Sequence, residues 1–177
     1  MGGGPKLTIR ALCITGSSGF IGMNLAPLLN ENSELHCFSN NLMYKNKASS
    51  NINYLDYSSQ AEIIKAVNDY GVPDVFFHLG WGGRTDPENV LLKENNVKDG
   101  EMLIKSLYKK GLSKFVFIGS CNEYGGRTGS LSEDMKPLGQ INNYTKGKIE
   151  VASIGFREAK RQNKIFIHVR VFYVFGP

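Results

Sequence analysis

Two short runs, Val75-Phe76-Phe77 and Phe115-Val116-Phe117-Ile118, are apolar at every position. A strand with one wet face alternates apolar and polar residues, so uninterrupted runs belong to strands covered on both sides, as in a parallel sheet clothed by helices. Parallel neighbours need a crossover of a dozen or more residues, and the chain supplies one between each pair of strand-like segments. Strands are expected at Leu7 to Thr15, Glu34 to Phe38, Ile52 to Leu55, Asp74 to Leu79, Lys114 to Gly119 and Ile165 to Val174. Helices are expected at Phe20 to Leu29, Ser59 to Tyr70, about Val90 to Lys110 and about Asn142 to Gln162, with a polar loop from Asn40 to Asn51. Ser58 or Ser59 and Asp86-Pro87 stand where helix N-caps belong, and Gly71 and Gly111 where C-caps belong. The pattern predicts a doubly wound α/β sheet with strand order 3-2-1-4-5-6.

With 177 residues, 41% of them hydrophobic, the chain supports one domain with a substantial core. Its apolar runs are strand-sized, well short of the ~18 to 20 residues that span a bilayer, so no membrane association is expected. The start, MGGGPKLTIR, lacks the apolar segment of a signal peptide; residues 1–5 read as an added leader or disordered start, and the expected location is cytoplasmic. Cys13, Cys37 and Cys121 are odd in number and never at C-x-x-C spacing, which predicts free thiols and no zinc site. His36, His78 and His168 fall in expected strands, read as packing residues and not as metal ligands. The net charge is +5, but only Lys109-Lys110 and Lys160-Arg161 are adjacent basic pairs, so the charge reads as a solvated surface tolerant of anions and not as a nucleic-acid face.

The first strand is followed by Gly16, Gly19 and Gly22 in the stretch TGSSGFIG. At a strand-to-helix turn, glycines permit a tight bend, close approach of a pyrophosphate and close helix packing, with the phosphate at the helix N-terminus. The spacing is G-x-x-G-x-x-G and not G-x-G-x-x-G, so by itself it is compatible with a phosphate cradle or a plain turn.

Its companions extend along the chain. They are Asp56, His78-Leu79-Gly80-Trp81, Asn95-Asn96-Val97, Gly119-Ser120, Tyr144-x-x-x-Lys148 and Arg170 to Pro177. In this order they resemble the motifs of the extended short-chain dehydrogenase/reductase superfamily, the sugar-nucleotide epimerases, dehydratases and ketoreductases. The resemblance implies a Rossmann-type NAD(P)-binding domain over residues 6–177, cut short of the smaller domain that holds the sugar nucleotide in relatives. It implies cofactor contacts at Gly16, Ser18, Gly19, Phe20, Ile21 and Gly22, then at Asn40, Asp56, Leu79, Gly80, Trp81 and Asn96.

It also implies catalysis by Ser120, Tyr144 and Lys148. Tyr144 would exchange a proton with the sugar oxygen, Ser120 would hydrogen-bond that oxygen, and Lys148 would hold the nicotinamide ribose and draw the phenol pKa down. Tyr144 and Lys148, four apart in an expected helix, share a face. The Asp-Glu pair that follows the serine or threonine in related 4,6-dehydratases is replaced by Cys121-Asn122, which leaves C4 epimerisation or 4-keto reduction. Glu123 reads as a surface or sheet-end carboxylate, with proton donation as the alternative.

Asn40 stands where NAD-specific relatives carry an acid, and Lys45 and Lys47 could meet a 2′-phosphate, so the cofactor is NAD or NADP. Asp56 is either an adenine ligand or a helix cap. Trp81 replaces the second alanine of the family's H-L-A-A and is expected to cover the pocket. The partners implied are a nucleotide sugar and a second copy of the chain, docked through the helices at about 90–110 and 142–162. A rival reading is a non-catalytic NAD(P)-binding module, to which Trp81 and Tyr173, at a position often held by asparagine, lend support.

Overall fold

The computed structural model describes residues 11–29, 34–39, 52–57 and 59–176. Six parallel strands form one sheet, β1 (Ala11–Thr15), β2 (Glu34–Ser39), β3 (Ile52–Asp56), β4 (Val75–His78), β5 (Lys114–Ile118) and β6 (Ile165–Val169). Their order is β3-β2-β1-β4-β5-β6, as the sequence predicts. The helices are α1 (Phe20–Leu29), α2 (Gln60–Tyr70), α3 (Val90–Lys109) and α4 (Asn143–Gln162).

Local chemistry sets the helix starts. Asn142 caps α4 by accepting the Thr145 N–H at 2.9 Å, and Asn163, at φ 52°, ends it. Asp86-Pro87 does not start α3. Asn89 caps that helix through the Leu92 N–H, while Asp86 accepts a hydrogen bond from the Asn89 side-chain amide. The last strand is also shorter than the sequence suggests. After β5 ends at Ile118, the Gly119 N–H still reaches the Val169 carbonyl and the Cys121 N–H the Val171 carbonyl, but regular pairing stops at Val169.

The sheet has unequal covers. Against one face, Phe76, Phe115, Phe117 and Phe166 pack with Ile63 of α2, Leu103, Ile104 and Leu107 of α3, and Val151 of α4. Against the other, Leu12, Ile14, Leu35, Val75 and Val116 pack on Ala26 of α1. On that second side Ile165, Ile167 and Val169 of β6 remain 52%, 39% and 38% exposed.

Strand order reverses between β1 and β4, and this opens a crevice beyond their carboxyl ends. Thr15 and His78 are register partners there, with Thr15 Oγ1 2.8 Å from His78 Nδ1 and accepting the Gly80 N–H at 3.2 Å.

Candidate active site at the sheet switch point

The turn from β1 into α1 forms one wall of the crevice. Gly16 has φ 69°, and a Cβ there would lie 2.6 Å from the Gly80 nitrogen; a Cβ on Gly22 would run into the Gly16 carbonyl. The two glycines let the β1 turn, the β4 end and α1 approach one another closely, which no residue with a Cβ would allow. Ser17 is buried and donates to the Phe38 carbonyl at 3.0 Å, which ties the turn to β2. Gly16, Gly19, Phe20, Ile21, Gly22, Leu79 and Arg84 line a cleft of about 600 Å³.

A second cleft of about 550 Å³ brings together Ser120, Tyr144, Lys148, Trp81 and Arg84. Ser120 follows β5 with extended backbone angles and caps a short 3-10 turn, Cys121–Tyr124, by accepting the Asn122 N–H at 3.2 Å. Tyr144 and Lys148 project from the first turns of α4, where the Tyr144 N–H binds the Pro87 carbonyl at 2.8 Å. Lys148 is 3% exposed and donates to the Ile118 carbonyl at 2.7 Å. Burial lowers its pKa to about 8, against an opposing pull from Glu123.

The expected electrostatic pairing of Tyr144 with Lys148 differs in this structure. The Tyr144 pKa is raised, first by burial and also by Glu123, and the cation that opposes this is Arg84. The Lys148 ammonium faces the Ile118 carbonyl and the Trp81 ring, and no hydrogen bond among the described residues links it to the Tyr144 hydroxyl. Tyr144 is therefore a neutral phenol at neutral pH, a proton donor in its resting state.

Glu123 sits at the sheet end, on the turn after β5, but it is not a surface group. It is fully buried, accepts the Ser120 N–H at 2.8 Å, and meets His168 Nε2 at 3.1 Å and Arg170 Nε at 3.3 Å. Its spacing from Ser120, S-x-x-E, is that of a capping box, a signal present in the sequence. Its partners on and after β6 carried no local signal. Arg84, which lines both clefts, was likewise invisible in the sequence.

Asn96 lines neither cleft; its amide donates to the Gly82 carbonyl at 3.0 Å and accepts the Gly82 N–H at 3.3 Å, clamping the loop that carries Trp81. His78 is buried, and burial together with Lys148 lowers its pKa to about 3, so its imidazole is neutral. Ser18 sits half-buried in the β1 turn. Asn40, Lys45 and Lys47 lie outside the described residues, as does the Asp56 side chain at the end of β3.

The model of the NAD dependent epimerase/dehydratase family matches residues 12–177. The chain belongs to that family. Among solved structures, it is similar to a mutant UDP-glucuronic acid 4-epimerase from Bacillus cereus, with 19% identity and a TM-score of 0.81 over 95% of this chain and 58% of that one. It is also similar to a UDP-glucose 4-epimerase from Thermotoga maritima, with 18% identity and a TM-score of 0.79 over 95% of this chain and 57% of that one. A UDP-glucose 4-epimerase from Brucella ovis shares 19% identity at a TM-score of 0.78, over 92% and 52% of the two chains. This family member thus spans a little over half the length of these relatives, and the similarity is one of fold.

Proposed function

We propose that this chain is the cofactor-binding part of an NAD(P)-dependent enzyme acting at C4 of a nucleotide-linked sugar, as a 4-epimerase or a 4-keto-sugar reductase. One observation carries the reading: Ile21, Leu79, Arg84 and Val174 line both the glycine cleft and the cleft of Ser120, Tyr144 and Lys148, so the two form one continuous groove. The B. cereus relative is a complex with UDP-4-deoxy-4-fluoro-glucuronic acid and NAD, and the T. maritima relative is one with UDP-glucose, which supports ligands of these classes.

Gly16, Gly19 and Gly22 would admit the pyrophosphate, and the Arg84 guanidinium on the shared wall would offset its charge. The nicotinamide, when bound, supplies hydride chemistry. In the reducing direction the Tyr144 phenol gives its proton to the C4 oxygen as the C4–H bond forms. In the oxidising direction the Tyr144 phenolate, the form left after that donation, takes the proton of the C4 hydroxyl as the C4–H bond breaks. Ser120 Oγ would donate a hydrogen bond to the same oxygen. Cys121 and Asn122 offer no acid and base pair for water elimination, so dehydration falls outside the reading.

Titration with NAD and with NADP tests the groove, and absence of binding by both would defeat the proposal. Incubation of the full-length protein with UDP-sugars and with 4-keto-6-deoxy sugar nucleotides tests the reaction, with loss of turnover expected in Tyr144→Phe. Binding without any turnover would instead favour a non-catalytic module. For assembly, α3 and α4 lie side by side with Val90, Leu91 and Phe156 exposed, which supports pairing with a second copy through these helices.

A further inference from the structure

Trp81, the single tryptophan of the chain, occupies an unusual position. Its ring lies against α4 at Gly147, where a Cβ would come within 3.2 Å of the indole Cζ2. A side chain at residue 147 would press on the indole and on the Lys93 stem, which lies as close. Its face lies over the Lys148 ammonium, with Nζ 4.5 Å from the ring centroid. Phe117 and Tyr144 complete the surround, their centroids 5.3 Å and 5.4 Å from the same Nζ. The Tyr144 ring stands edge-on to the indole, 6.3 Å away at 83°. The buried indole N–H has no hydrogen-bond partner among the described residues, and ring packing and the cation hold Trp81 in place.

We propose that Trp81 is a positioning residue, which closes an aromatic cage of Trp81, Phe117 and Tyr144 around the Lys148 ammonium and thereby fixes that charge and the Tyr144 ring at the edge of the cleft. The inference deepens the proposed function, since it rests on Tyr144 and Lys148 being the acid/base pair. A small residue at position 81, which the H-L-A-A resemblance would predict, leaves the third side of the ammonium open to water. With the cage closed, Lys148 has the Ile118 carbonyl as its one hydrogen-bond partner among the described residues, and its reach is set by the rings. The other charged or titratable groups around it are Glu123 on the 3-10 turn with His168 from β6, His78 on β4, Arg84 in the loop after β4, and Lys93 of α3, which pairs with Glu150 at 3.0 Å.

The test uses indole emission, which reports on Trp81 alone. Without any ligand, the emission of the chain should show a transition between about pH 7 and 9, as the caged ammonium loses its proton. Lys148→Met should abolish the transition. Lys148→Arg, whose charge persists through this range, should hold the emission at its low-pH level, and Tyr144→Phe should keep the transition. No transition in the unaltered chain, or one that survives Lys148→Met with the fold intact by circular dichroism, overturns the cage.

In the full-length protein, Trp81→Ala should lower kcat about tenfold with KM for the nucleotide sugar within about twofold. It should also move the alkaline limb of the kcat profile upward by about half a unit or more, because water reaching Lys148 relieves the burial that holds its pKa down. Trp81→Phe should restore both. Unchanged kcat and limb in Trp81→Ala overturn the positioning role. Failure of every nucleotide sugar to turn over defeats the proposed function, while the ligand-free emission still decides the cage.

Discussion

The Glu123 carboxylate accepts the Ser120 N–H at 2.8 Å while it is held by Arg170 at 3.3 Å, so the serine at the end of β5 is anchored to residues at the end of β6 through a fully buried charge. Arg170 in turn donates to the Glu133 carbonyl at 3.0 Å and covers the Tyr124 ring. The position of Ser120 therefore depends on a network that crosses from one strand end to the next and into the loop between the 3-10 turn and α4.

Removing that carboxylate leaves the His168 side chain and the partly exposed Arg170 guanidinium without their counter-group. Glu123→Ala is expected to cost ~3 to 5 kcal/mol in urea unfolding, the range for breaking a buried ion pair. Glu123→Gln keeps an acceptor for the Ser120 N–H and should cost less than half as much. Equal losses in the two variants would show that the carboxylate's charge and not its hydrogen bond holds the turn.

The glycine cradle makes a prediction with an internal control. Gly16→Ala and Gly22→Ala each push a methyl group into fixed backbone, so both should abolish binding of NAD and NADP in a calorimetric titration. Gly71 has φ 97°, yet nothing lies within 4 Å of a Cβ there. Gly71→Ala should cost ~1 kcal/mol of stability through backbone strain alone and leave binding unchanged. Binding retained by Gly16→Ala would show that the β1 turn is not the phosphate site.

The fold was legible in the sequence because its signals are local. The runs at Val75 and Phe115 require two covered faces, and the glycines at 16, 19 and 22 mark the strand-to-helix turn, so the strand order followed from the standard doubly wound topology. The gathering of Ser120, Tyr144 and Lys148 in one cleft also followed, because strand ends and helix starts of such a sheet converge. What escaped was non-local. His168 and Arg170 lie 45 and 47 residues from Glu123, and only the β5–β6 register brings them together. The electrostatics of Tyr144 escaped for the same reason: spacing put Lys148 on its face of the helix, but the rings of Trp81 and Phe117, from two other elements, decide where the ammonium sits.

Lys148 should make the chain less stable at neutral pH. Its pKa is lowered from 10.5 to about 8 in the fold, so the unfolded chain holds the proton more tightly. The penalty is complete below about 8 and fades as pH rises to the unfolded value, because the folded chain has then already released the proton. Lys148→Met is accordingly expected to stabilise the chain by ~2 kcal/mol at pH 7 and by much less at pH 10.5, as read from urea unfolding at both pH values. A variant that is less stable at pH 7 would mean that the cage and the Ile118 carbonyl more than offset the burial of the charge.

His78 acts at the opposite end of the pH scale. Its pKa falls from 6.5 to about 3 in the fold, with burial the larger cause and Lys148 the smaller. Between those values the unfolded chain binds a proton that the folded chain refuses, so stability declines as pH drops below about 6.5 and continues to decline toward 3. His78→Phe keeps an aromatic ring beside Phe115 and Phe117, and Thr15 Oγ1 retains the Gly80 N–H. The variant should flatten the acid limb of the stability profile, with the difference from the unaltered chain growing by ~1.4 kcal/mol for each pH unit below 6. Parallel acid limbs in the two proteins would show that His78 takes up its proton without unfolding, and that the β1–β4 crevice admits a charge beside Lys148.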